Sequence, residues 1–156
     1  MDWTVFIILL CATGAAAATG VLFQPGEWYI SLKKPSFTPP NWAFPVVWTT
    51  LYILMALAGA RAVAAGGPLL GQGMALWGLQ IALNTLWTPV FFGAHRIRVG
   101  MLIISLMWVV IGATTVTLWQ IDWIAGLMFL PYWAWVSVAA ALNGSIWRNN
   151  PDRLRG

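Results

Sequence analysis

Charge is what this sequence has least of: Asp and Glu together fill four positions and Lys and Arg eight, in a chain of 156 residues. Histidine occurs once, as His95, and cysteine once, as Cys11. A lone cysteine excludes an internal disulfide framework and a thiolate metal cluster. The acidic residues Asp2, Glu27, Asp122 and Asp152 all fall at the ends of apolar runs, in connections or in the tail. Proton relays and ion-coupled carriers keep ionisable groups deep inside such runs, where they are costly and persist for function; none is found there. Nor is there a metal-ligand spacing, a Ser/His/Asp set or a phosphate-binding glycine loop. The sequence therefore offers no catalytic residue and no metal ligand set for conventional hydrolytic or redox chemistry.

What remains is apolar. Hydrophobic residues make up 60% of the chain, and five stretches are each about long enough to cross a bilayer: Trp3 to Leu22, Phe44 to Ala64, Gly73 to Phe92, Val99 to Trp119 and Ile124 to Trp147. Roughly 20 predominantly apolar residues span the hydrocarbon layer as a helix. Barrel strands would instead alternate polar and apolar side chains over about 10 residues, so the expectation is an all-α membrane protein, a bundle of five transmembrane helices. The connections are too short for a soluble domain, so residues 1–156 read as one membrane domain. No internal repeat stands out, which weighs against the paired inverted repeats of many secondary transporters.

Threading the spans alternately puts Lys33, Lys34, Arg96, Arg98, Arg148, Arg153 and Arg155 on one side and leaves Arg61 on the other. The positive-inside rule then places the C-terminus in the cytoplasm and the N-terminus outside. It leaves open which cellular membrane is meant. That asymmetry also accounts for the net charge of +4 without a nucleic-acid partner. The first span lacks a basic n-region and is longer than an ordinary signal h-region, so it reads as a retained helix.

The connection at residues 23–43 differs in kind from the others. It carries Trp28, Tyr29, Phe37 and Trp42, and Pro35, Pro39 and Pro40 prevent it from continuing a helix. It reads as a lid over the mouth of the bundle, the alternative being a loop resting its aromatics among lipid headgroups.

Tryptophan is abundant, at 12 residues. Those near span ends suit the lipid boundary; Trp48, Trp77, Trp87, Trp108, Trp133 and Trp135 lie deeper. On the third span Gln80, Asn84, Trp87 and Phe91 share one helical face. On the fifth, Tyr132, Trp135, Ala139, Leu142 and Asn143 share an arc from which Trp133 points away. The second groups Trp48, Tyr52, Met55 and Gly59; the fourth groups Met101, Trp108, Gly112, Thr115 and Trp119. Such stripes either form an ordinary aromatic core or enclose a flat, largely apolar ligand. Opposite the polar stripe of the third span lie Gly71, Ala75, Gly78 and Ala82. Small residues let membrane helices approach closely, so this face is a candidate dimer interface, the alternative being packing within one subunit.

Three segments carry a family resemblance: PSFTPPNWAFPVVWTTLY from Pro35 to Tyr52, QIALNTLWTPVFFGA from Gln80 to Ala94, and LPYWAWVSVAAALN from Leu130 to Asn143. In that order the chain resembles the tryptophan-rich sensory protein family, the bacterial relatives of the translocator protein or peripheral benzodiazepine receptor. The resemblance implies a five-helix bundle, often a homodimer, that binds tetrapyrroles such as protoporphyrin IX or haem, along with sterols and isoquinoline or benzodiazepine-type drugs. It implies transport, sequestration or sensing of porphyrins, with the porphyrin as ligand and no required cofactor. Some members are associated with light-dependent porphyrin breakdown, which is the enzymatic alternative; a membrane scaffold is another. By motif match the pocket residues are Trp48, Tyr52, Asn84, Trp87, Tyr132, Trp135, Ala139 and Leu142. One departure concerns sterol: the segment LNGSIWR has no Tyr between Leu142 and Arg148, so no sterol site is assigned.

Overall fold

The computed structural model describes residues 1–153, all of whose regular structure is helical. Five long helices, α1 (Trp3–Leu22), α3 (Ala43–Ala65), α4 (Leu70–Thr88), α5 (Ile97–Ile121) and α6 (Trp123–Asn149), are joined by short turns, except for the connection holding the one-turn α2 (Glu27–Ile30). Asp2 caps α1 by accepting from the amides of Thr4 and Val5. Four of the long helices are long and apolar enough to cross a membrane; α4 is not among them. Gly71, Gln72, Gly73, Gly78, Gln80 and Asn84 dilute its apolarity, and its predicted extent is shortened at the C-terminal end. Pro89 has no N–H to donate to the preceding turn, and Pro89–Gly93 winds instead as a π turn closed by the Ala94 amide on the Pro89 carbonyl at 2.8 Å.

The helices pack in a ring: α1 against α3 and α4, α4 against α5, α5 against α6, and α6 against α3. Met55, Ile104, Met107, Ile111, Phe129 and Tyr132 fill its centre. On the fourth predicted span the observed faces differ from the expected stripe. Gly112 and Thr115 are buried, but Trp108 and Trp119 are exposed on the outside of the bundle. Trp108 turns to meet Trp133, ring centroids 5.3 Å apart, and donates to Ser137.

Both ends of the ring are fastened. At one end Arg61 of α3 forms an ion pair of 2.7 Å with Asp122 in the α5–α6 turn. Desolvation pushes the Asp122 carboxyl up, but the Ala125 and Ile124 amides and the Arg61 guanidinium outweigh it and hold it below its ordinary value. At the other end the connection around α2 folds onto the bundle. Tyr29 and Leu32 are buried against Phe91, Ile97, Leu142 and Ile146. Asn150 ties that connection to the end of α6, accepting from the Lys33 amide at 2.9 Å and donating to the Lys33 and Ile146 carbonyls.

Candidate functional site

The eight residues expected to line a pocket come from three helices. α3 carries Trp48 and Tyr52 one turn apart, α4 carries Asn84 and Trp87, and α6 carries Tyr132, Trp135, Ala139 and Leu142. Their spacing on each helix turns them toward the ring interior, where Asn84, Tyr132 and Leu142 are buried and the other five are half-buried.

A hydrogen-bond chain joins the three helices. Tyr52 Oη donates to Asn84 Oδ1 at 2.9 Å, and Asn84 Nδ2 donates to Tyr132 Oη at 3.1 Å. Tyr132 Oη then points at Met107 Sδ of α5, 3.7 Å away. Asn84 thus uses its acceptor and a donor at once, as a buried carboxamide must if it is not to cost stability. Aromatic rings flank this chain on the same helices. Trp48 stacks on Tyr52 with centroids 5.4 Å apart and meets Tyr132 at 6.1 Å. Trp87 stacks on Phe91 at 5.1 Å, and Trp135 meets the edge of Phe44 at 5.7 Å. The indole Nε1 atoms of Trp87 and Trp135 are buried with no hydrogen-bond partner among the described residues. These side chains therefore offer flat polarisable faces, idle N–H donors and no charge.

The connection at residues 23–43 closes one end. Trp28 stacks on His95 with centroids 4.3 Å apart and meets Phe91 edge-on at 5.7 Å. His95 adopts a left-handed φ of 55° at the end of the π turn, which places its ring beneath Trp28. Lys34 Nζ donates to the carbonyls of Tyr29, Ile30 and Leu32 and lies 4.7 Å over the Tyr29 ring. Burial raises the Tyr29 hydroxyl above its ordinary pKa, so it stays un-ionised. Trp28 and Tyr29 join the site through contacts with Phe91 across 60 residues or more of chain, which no local period reveals.

Two other regions lie apart from this interior. A surface groove of about 580 Å³, lined by Gln72, Trp108, Val116, Gln120 and Trp133 among others, contains none of the eight pocket residues. The small-residue face of α4 makes no close contact within the chain: Gly71, Ala75 and Ala82 are exposed, and a Cβ on Gly71 or Gly78 would meet nothing within 4 Å. Among the described residues no three His, Cys, Asp or Glu side chains gather as a metal site.

A family model described as the TspO/MBR family matches residues 6–148. Protein CrtK of Rhodobacter capsulatus is 54% identical over 153 residues, covering 97% of this chain and 96% of that protein. The tryptophan-rich sensory protein of Cereibacter sphaeroides is 44% identical over 153 residues, covering 98% of this chain and 96% of its own. The human translocator protein is 32% identical over 154 residues, covering 95% and 91%.

Proposed function

The chain belongs to the TspO/MBR family, and on that premise we propose that it binds tetrapyrroles, porphyrin or haem, inside the bundle beneath the covering connection, and thereby transports, sequesters or senses them. The observation that carries this reading is the Tyr52–Asn84–Tyr132 chain set among Trp48, Trp87 and Trp135. Flat indole faces suit a macrocycle, and stacking between aromatic systems adds about 0.5–1.5 kcal/mol beyond burial. The central hydrogen bonds hold three helices in register around it. No His or Cys belongs to the eight residues, so haem would be held as a flat ring without strong axial ligation, and free-base porphyrin should bind comparably. The same apolar, aromatic lining suits isoquinoline and benzodiazepine-type drugs; sterol is a weaker candidate because Tyr is missing before Arg148.

In the membrane, α4 acts as a fifth span. It is 19 residues long and lies in the ring between α1 and α5, with Gln80 and Asn84 buried where neighbouring helices shield them. The basic residues then put the C-terminus in the cytoplasm, and the free small-residue face of α4 serves a homodimer. Titration with a porphyrin panel in darkness and in light, following bound pigment by absorbance, tests the reading. Stable, stoichiometric binding in both conditions supports a binding protein. Pigment loss requiring light and oxygen moves the assignment to porphyrin breakdown, and absence of binding leaves only the scaffold role.

A further inference from the structure

Asn143 follows Leu142 on the inward face of α6 and is only 2% exposed. Neither its Nδ2 nor its Oδ1 has a hydrogen-bond partner among the described residues. Asn84, equally buried, uses both. A carboxamide left idle in an apolar interior is costly, and hydrocarbon supplies no water to satisfy it. Such a group calls for a partner that the described residues do not supply.

Its surroundings are shaped around it. Gly100 of α5 faces the amide, and a Cβ there would lie 3.4 Å from Asn143 Nδ2 and 2.9 Å from Phe91 Cδ2. Phe91 is carried on the π turn, stacks on Trp87 and meets Tyr29 of the covering connection edge-on. π turns are frequent at functional sites because they re-aim side chains. Leu142 and Ile146 are buried under Tyr29 and Leu32, which sets Asn143 at the covered end of the pocket with Phe91 against it.

We propose that Asn143 is a specificity-determining residue that pairs with a ligand group presenting a donor and an acceptor side by side, an un-ionised carboxyl at the edge of the macrocycle. This rests on the tetrapyrrole reading of the pocket. Asn143 Nδ2 donates to the carbonyl oxygen of the carboxyl, and its O–H donates to Asn143 Oδ1. A carboxylate would set its negative charge against Oδ1, and Lys34, the cation folded into the cover, already spends its ammonium on three backbone carbonyls. Entry displaces Phe91 and the Tyr29 segment together.

The test uses the purified full-length protein in one detergent, in darkness, and compares affinity for protoporphyrin IX and its dimethyl ester, which keeps the carbonyls but loses the O–H donors. The wild type should prefer the free acid by about tenfold, the worth of one such hydrogen bond. Asn143→Leu should bring the ratio to about one by weakening the free acid more than the ester, which loses only the Nδ2 donation to its carbonyl, while the thermal midpoint of the ligand-free protein holds or rises. Should the Leu variant fail to fold, Asn143→Ala reads the same ratio. A wild type indifferent to esterification, a variant that keeps the preference, or equal weakening of both ligands overturns the proposal and leaves the pocket standing. Failure of the wild type to bind either porphyrin overturns the pocket as well.

Discussion

Trp133 and Trp135 sit two residues apart on α6, about 200° around the helix from each other, and the structure gives them opposite work. The Trp135 ring meets Phe44 at 5.7 Å, and its indole N–H, like that of Trp133, is buried with no partner among the described residues. Trp133 instead lies over Gly112, where an added Cβ would come within 2.8 Å of its ring, and beside Trp108. Replacing Trp135 by Phe keeps a ring but removes the larger stacking face and the donor. Stacking is worth about 0.5–1.5 kcal/mol and a hydrogen bond a similar amount, so porphyrin affinity should fall roughly fivefold to a hundredfold. Trp133→Phe opens space above Gly112 and should cost about 1–2 kcal/mol of stability, with affinity changed less than about twofold. Porphyrin absorbance in one detergent, rather than tryptophan fluorescence, reads both variants on the same scale, with thermal unfolding of the ligand-free proteins alongside. Equal affinity losses, or a larger loss at Trp133, would refute the assigned faces of α6 and the pocket built on them.

Asn84→Leu strips an acceptor from Tyr52 and a donor from Tyr132, and should lower stability by about 2–4 kcal/mol, against about 1–2 for Tyr52→Phe; a double-mutant cycle showing simple additivity would count against the chain. Ala75→Leu combined with Gly78→Leu should convert a detergent-solubilised dimer to monomer in light scattering, since bulky side chains hold the backbones apart; a dimer that survives both places its interface elsewhere. Asp122 has a lowered pKa in the folded protein, so its contribution is fully present above its ordinary value and is lost as pH falls through the folded one. Asp122→Asn should accordingly be less stable than wild type near neutrality, with the gap closing in acid; a gap independent of pH would mean that the carboxylate charge is not what fastens Arg61.

The stripes on the second, third and fifth predicted spans are legible because helical spacing alone aligns Trp48 with Tyr52, Asn84 with Trp87, and Tyr132 with Trp135, Ala139 and Leu142. Helix α1 ends where its apolar run ends, Trp3 to Leu22. What spacing could not reveal was which stripe faces inward. The stripe on α5 is as periodic as the others, yet Trp108 lies outside, because Gly112 leaves room for Trp133 to cross over it. Arg61 and Asp122 were each visible as polar residues near span ends, but their pairing depends on α3 ending beside the α5–α6 turn. The Asn150 tie to Lys33 joins residues 117 positions apart and leaves no local trace. The π turn had a faint signal in the Thr88–Pro89 step; its consequence, Phe91 set between Trp87, Tyr29 and Trp28, depends on the covering connection.

The most direct test of the tetrapyrrole pocket is a structure of the protein with bound protoporphyrin IX. The account predicts the macrocycle inside the ring of helices, in contact with Trp48, Trp87 and Trp135 and covered by the segment bearing Tyr29. A macrocycle seated instead in the outer groove by Trp108 and Val116, with the Tyr52–Asn84–Tyr132 interior untouched, would contradict it.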